Sequence, residues 1–189
     1  MEARIIGLKG AGKRTLLAAL SDGRADRRAD GAIATVRVGD ARVRRLSEIF
    51  RPKKTTFAEF KVRVATWPAA TGRRSEMERY LITLAGAQVF LHVLCGFDNP
   101  VLGETPNPGR DLAALDQEFL MGDLIAIERA FERAKKVKLS DVGRRALARA
   151  QEALEAEVPI RLVDFPDDEL AFITPYNLLT QVPQVLLLN

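Results

Sequence analysis

An α/β domain with a mostly parallel sheet and an inserted antiparallel helical hairpin is the fold class this sequence predicts. Three observations carry it. A short β-branched run ending at Ile5 and Ile6 leads into a glycine loop, and Leu16, Leu17 and Leu20 follow at helical spacing. Residues 89–94 are continuously apolar, as a parallel strand covered on both faces should be. Two long amphipathic runs, beginning near Leu112 and at Asp141, are separated only by a short polar stretch.

The elements follow in order. A strand over residues 3–7 precedes the loop, and a helix over 13–20 follows it. An arginine-rich polar segment runs through Asp30, and residues 32–38 alternate weakly as a second strand. Asp40 is placed to cap a helix reaching Phe50. In residues 57–65, Phe60, Val62 and Val64 fall on one face and Lys61 and Arg63 on the other, the pattern of a half-exposed strand. A helix over 74–86, the strand over 89–94 and a proline- and glycine-rich loop over 99–109 come next. Leu112, Leu115, Phe119, Leu120, Leu124, Ile127 and Phe131 then draw one apolar stripe. A polar break at 135–140 leads to a second amphipathic helix carrying Leu147, Ala150 and Leu154 before Pro159. Asp167 starts another helix, and residues 185–188 form the last strand. The expected organisation is an α/β part over 1–110, a helical insertion over 111–158, and a return to the α/β part over 159–189.

The loop carries the chemistry. GLKGAGKRT, from Gly7 to Thr15, matches the phosphate half of the motif G-x-x-x-x-G-K-[ST]. Backbone N–H groups of such a loop, and of the helix it opens, cradle phosphate oxygens, and the lysine reaches the terminal phosphates. Strand, loop, helix is the context the motif requires. The competing reading is an ordinary βα turn that uses glycine for tight geometry. At the position that should hold a Mg²⁺-binding hydroxyl stands Arg14, a donor with no acceptor, and the hydroxyl is displaced to Thr15.

With 47% apolar residues, the chain can bury a real core and is not a disordered tail. Its net charge of +4 comes with clustered cations: Arg24, Arg27 and Arg28; Arg51, Lys53 and Lys54; Arg73 and Arg74. Basic loops of this kind suit a polyanion, either nucleotide or RNA, or a merely solvated surface. The single cysteine, Cys95, excludes an internal disulfide framework and fits a reducing compartment, and a cytoplasmic protein is expected. No apolar run approaches the length of a membrane span. One histidine and one cysteine make a zinc site a poor expectation. His92, within VFLHVLC, reads as a core residue.

The helix DLAALDQEFLMGDLIAIERAFERAKK resembles the acidic helix that opens the coiled-coil insertion of the YchF-type (Obg-like) P-loop GTPases and ATPases. Asp111, Glu118, Asp123, Leu124, Glu128 and Arg129 fall on its positions, with Phe119 replacing the usual leucine. GDARVRRLSEIFRPKK, GAQVFLHVLCGFDN and NLLTQVPQVLLLN are similar to further family segments, in family order, so the resemblance runs from Arg4 to Asn189. It implies a GTPase-like α/β domain that binds GTP or ATP, hydrolyses it slowly and associates with ribosomes. Carried over by position, Gly7, Lys9, Gly10, Ala11, Gly12, Lys13, Arg14 and Thr15 make the nucleotide's phosphate site, and Asn189 opens the base-reading motif.

The chain also departs from the family. Lys9 and Gly10 replace the loop's usual proline and asparagine, and the threonine-containing switch is not recognisable in DGRADRRADGAIA. The strand that should end in D-x-A-G reads VRVATWPAATG, with no acidic residue between Glu59 and Glu76. The Mg²⁺ of the family therefore has no recognisable ligand set, and no catalytic residue is assigned. The resulting expectation is a purine-nucleotide-binding domain of pseudo-GTPase character, with little or no hydrolysis. The alternative is a ribosome-, RNA- or protein-interaction module that has lost the nucleotide. Residues 185–188 leave an exposed sheet edge open to self-association.

Overall fold

The computed structural model describes residues 1–23, 31–68, 74–99, 103, 105–134 and 139–189. Arg24, Arg27, Arg28 and Arg73 lie outside them. So do most of the segment expected to hold the first switch, part of the one following the third strand, and most of the polar break at 135–140.

Five strands form one sheet in the order β2-β3-β1-β4-β5. They are β1 (Glu2–Ile6), β2 (Ile33–Arg37), β3 (Glu59–Val64), β4 (Val89–Leu94) and β5 (Gln184–Leu188). β1 pairs in parallel with β3, Ile5 opposite Val64, and with β4, Ile6 opposite His92. β4 pairs in parallel with β5, while β2 runs antiparallel to β3 at the far edge. The predicted mostly parallel sheet is present, and the apolar run at Val89–Leu94 is an interior strand, as its composition required.

The helices are α1 (Lys13–Leu20), α2 (Ala41–Phe50), α3 (Arg74–Leu84), α4 (Pro108–Ala134), α5 (Asp141–Glu155) and α6 (Asp167–Ile173). Asp40 caps α2 as predicted, accepting from the Arg42 N–H at 2.8 Å. Ser140 caps α5 by accepting from the Gly143 N–H at 3.0 Å. Three 3-10 turns, at Ile160–Leu162, Thr174–Tyr176 and Leu179–Gln181, carry the chain from the helices back to β5.

Apolar residues collect in three clusters. Ala3, Ile5, Leu17, Val62, Val64, Val93 and Cys95 fill the α1 face of the sheet. Ile6, Tyr80, Leu84, Phe90, Leu115 and Phe119 fill the opposite face. Ile127, Ala130, Leu147, Ala150, Leu154 and Ile173 make a separate helical core. α4 belongs to two of these, because at ~1.5 Å per residue its 27 residues reach well past the sheet. Its first half packs on β4, with Phe90 and Phe119 rings 5.3 Å apart, and its second half forms the antiparallel hairpin with α5.

Two buried carboxylates fasten the helical part. Asp123, near the middle of α4, accepts from the Leu179 N–H (2.8 Å), the Thr180 N–H (2.7 Å) and the Thr180 hydroxyl (2.6 Å). Glu169 on α6 accepts from Arg145 Nε (3.0 Å) and Arg149 Nε (2.9 Å) on α5. Burial pushes the Glu169 carboxyl up, but the two guanidinium groups outweigh it and hold it below the usual carboxylate range.

α2 is the exception to this packing. It has no buried residue, and Leu46, Ile49 and Phe50 are exposed although they share an amphipathic pattern. Along the opposite edge, Val185, Leu186 and Leu188 of β5 are also exposed. Among the described residues, no helix is long and apolar enough to cross a membrane.

Candidate phosphate-binding site

β1 ends at Ile6, and the next six residues turn the chain into α1. Gly7 has φ 140° and lies against β4; a Cβ there would strike the Val93 carbonyl. Gly12 is the α1 N-cap at φ 97°, and its Cβ would strike the Asn189 amide. Two positions of the motif thus require glycine for backbone reasons. The first rung of the α1 ladder is the Leu16 N–H to the Gly12 carbonyl, at 3.0 Å. The N–H groups of Lys13, Arg14 and Thr15 therefore precede the ladder and form the positive end of the helix.

Lys13 folds back over the loop. Its ammonium donates to the Gly7 carbonyl at 2.6 Å and the Leu8 carbonyl at 2.7 Å. Burial, aided by the charge of Arg14, pushes the Lys13 pKa down to about 8. The loop is tied to the β4–β5 side by amide groups. Asn189 Nδ2 donates to the Ala11 carbonyl at 2.9 Å, and Asn99 Nδ2 to the Gly10 carbonyl at 3.3 Å. Asn189 is itself fixed by its N–H on the Leu94 carbonyl and by its carbonyl on the Gly96 N–H.

A cavity of about 460 Å³ opens on this loop, lined by Lys9, Gly10, Gly12, Lys13, Arg14 and Thr15, and by Val64, Thr66 and Trp67. Of the residues expected at the site, those six line the cavity. Gly7 and Ala11 are buried beneath it and set the loop's shape, and Asn189 braces it from β5. Val64, Thr66 and Trp67 belong to the strand exit that the family resemblance sets at the Mg²⁺ position, although none of them was named as a site residue. They arrive because β3 is β1's neighbour and Ala65 N–H bonds the Ile5 carbonyl at 2.9 Å, which delivers the β3 exit to the loop. The strand's alternation located β3 in the sequence, but not its register.

Among the described residues, those around the cavity do not suit a Mg²⁺ ion. The lining, among the described residues, contains hydroxyls, from Thr15 and Thr66, but no carboxylate, and its ionisable groups are Lys9, Lys13 and Arg14. Among the described residues, no group of three or more His, Cys, Asp or Glu side chains could hold a metal. His92, in register with Ile6, is buried, and among the described residues neither ring nitrogen has a hydrogen-bond partner. Burial, then Lys13 and Arg161, push its pKa down to about 4, so it is a neutral core residue at pH 7.

No protein-family model matches the chain. Over 206 residues it is 26% identical to a protein named ribosome-binding ATPase YchF from Bacillus subtilis, covering all of this chain and 56% of that protein. The protein of the same name from Pasteurella multocida is 28% identical over 204 residues, covering 98% of this chain and 55% of the relative. The chain spans about half the length of the curated relatives it matches. In structure it is similar to the YchF GTPase of Schizosaccharomyces pombe, with a TM-score of 0.82 at 23% identity, over all of this chain and 56% of that one. That likeness gives the fold, and in sequence the chain is similar, over its whole length, to proteins named ribosome-binding ATPase YchF.

Proposed function

We propose that this chain binds a purine nucleotide, GTP or ATP, on the loop from Gly7 to Thr15 without needing Mg²⁺, and turns it over slowly or not at all. The observation that carries the proposal is the buried Lys13 ammonium, held over a glycine loop in a cavity whose described lining contains cations and no carboxylate. A phosphate would take over the contacts Lys13 now makes with the Gly7 and Leu8 carbonyls, and the helix N-terminus adds further donors. Arg14 occupies the position of the metal ligand and would supply charge that Mg²⁺ supplies in other P-loop proteins. Hydrolysis needs that charge placed on the transferred phosphoryl group and a positioned water, and the described residues of the lining offer no carboxylate for either task. Asn189 would meet the base, as the family resemblance implies, while its amide braces the Ala11 carbonyl.

Calorimetry with GTP and ATP in EDTA, and again in Mg²⁺, tests the proposal. Affinity should be the same within about twofold in both buffers and should fall at least about tenfold in Lys13→Ala, whose lost contact is a charged hydrogen bond. Binding that appears only with Mg²⁺ would refute it.

A second reading has its own support. α2 has no buried residue, exposes Leu46, Ile49 and Phe50, and lies in the stretch that carries Arg42, Arg44, Arg45, Arg51, Lys53 and Lys54. The relatives are named ribosome-binding. Here the chain would dock RNA through this basic face, independently of nucleotide. Salt-sensitive RNA binding that survives Lys13→Ala and is lost when Arg51, Lys53 and Lys54 become alanine would favour this reading.

A further inference from the structure

We infer that the site takes nucleoside diphosphates in preference to triphosphates, and that Trp67 sets this preference by closing the end of the cavity where a third phosphate would lie. The inference rests on the nucleotide-binding reading above and names the ligand class of that same site.

The loop has two distinct flanks. On one, β4 and β5 bring Asn189 and Asn99 to the Ala11 and Gly10 carbonyls. On the other, β3 delivers Val64, Thr66 and Trp67 to the cavity wall. A nucleotide whose base meets Asn189 runs its phosphates across the loop, past Lys13, toward the β3 exit. The group waiting there is an indole.

Trp67 is held in place. Its ring meets Tyr80 of α3 edge-on, with centroids 5.3 Å apart, and Tyr80 is buried beneath it. Trp67 also lines a second cavity, of about 540 Å³, between α3 and α4, alongside Met77, Leu81 and Met121. It is therefore a wall shared by two cavities. An indole has one donor and no acceptor, and it presents an apolar face to an anion.

The charge inventory points the same way. Lys9, Lys13 and Arg14 serve a diphosphate, and among the described residues the lining holds no further cation for the charge a third phosphate adds. A terminal phosphate pressed against the indole gives up hydrogen bonds to water without replacement, a loss on the order of tenfold or more in affinity.

The chain has a single tryptophan, so its emission reports binding at this wall directly. Titrate the protein with GDP, GTP, ADP and ATP, each in EDTA and in Mg²⁺, following Trp67 emission and calorimetric heat together. Each diphosphate should bind about tenfold tighter than its triphosphate in both buffers and change the emission. Trp67→Ala should bring the ratio below about threefold by improving triphosphate binding, and Trp67→Phe, which keeps a ring at the wall, should preserve it. Thermal melts of both variants establish that they are folded, and the wild-type ratio stands independently of them. Triphosphates binding as tightly as diphosphates in the wild type would overturn the inference while leaving nucleotide binding intact. An unchanged ratio in a folded Trp67→Ala would remove Trp67 from it. The absence of heat with all four nucleotides would overturn both readings.

Discussion

Lys13 keeps an ammonium group in a buried position, donating to two loop carbonyls. Desolvation opposes that charge, which is why its pKa falls from 10.5 to about 8. A phosphate at the same position favours the charged form and raises the pKa again. Binding near pH 8 should therefore take up a proton, visible as a dependence of calorimetric heat on buffer ionisation enthalpy. Affinity should hold below pH 8 and fall by about tenfold per unit above it until the pKa of the complex is reached. The stability of the empty protein moves the other way. A Lys pKa depressed in the folded state costs stability below pH 8, and the cost fades as pH rises from 8 toward 10.5. Gly7 offers a structural test at the same scale. With φ at 140° and the Val93 carbonyl where a Cβ would go, Gly7→Ala should lose about 2 kcal/mol of stability, read from urea unfolding.

α4 holds sheet and helical hairpin together, and Asp123 is its fastening point. Three donors from Leu179 and Thr180 converge on that carboxylate, fixing the turn that returns the chain to β5. Asp123→Ala would leave buried donors unpaired and should cost about 3 kcal/mol, measured by urea denaturation, with increased amide exchange at Leu179 and Thr180. This role was not legible in the sequence. Asp123 stood out there only as a position on an acidic helix, because its partners lie 56 and 57 residues away. The Glu169 contacts with Arg145 and Arg149 were hidden for the same reason. The 3-10 turns were missed because three residues leave no period to read. Features governed by local chemistry were readable: the Asp40 cap, the limits of β4 at Val89 and Leu94, and the start of α6 at Asp167.

The whole molecule is a sheet with its candidate site at the C-terminal end of β1, between the exits of β3 and the β4–β5 pair. The loop's glycines were legible because the motif encodes backbone geometry. The β3 side of the cavity was legible only through the family resemblance of VRVATWPAATG, since parallel register depends on contacts that no local pattern encodes. At the far flank, β5 presents Val185, Leu186 and Leu188 to solvent, the kind of edge that pairs with another chain. Self-association should increase with concentration in sedimentation velocity and disappear in Leu186→Lys.

The central claim is that phosphate binds at the Gly7–Thr15 loop without metal, and an amide-resolved titration tests it most directly. In ¹H–¹⁵N spectra recorded in EDTA, GDP or ADP should shift the resonances of Gly10, Gly12, Lys13, Arg14 and Thr15, together with the Trp67 indole, in one saturable process. Those of α2 should stay in place. Shifts confined to α2, or a loop that responds only once Mg²⁺ is added, would contradict the account.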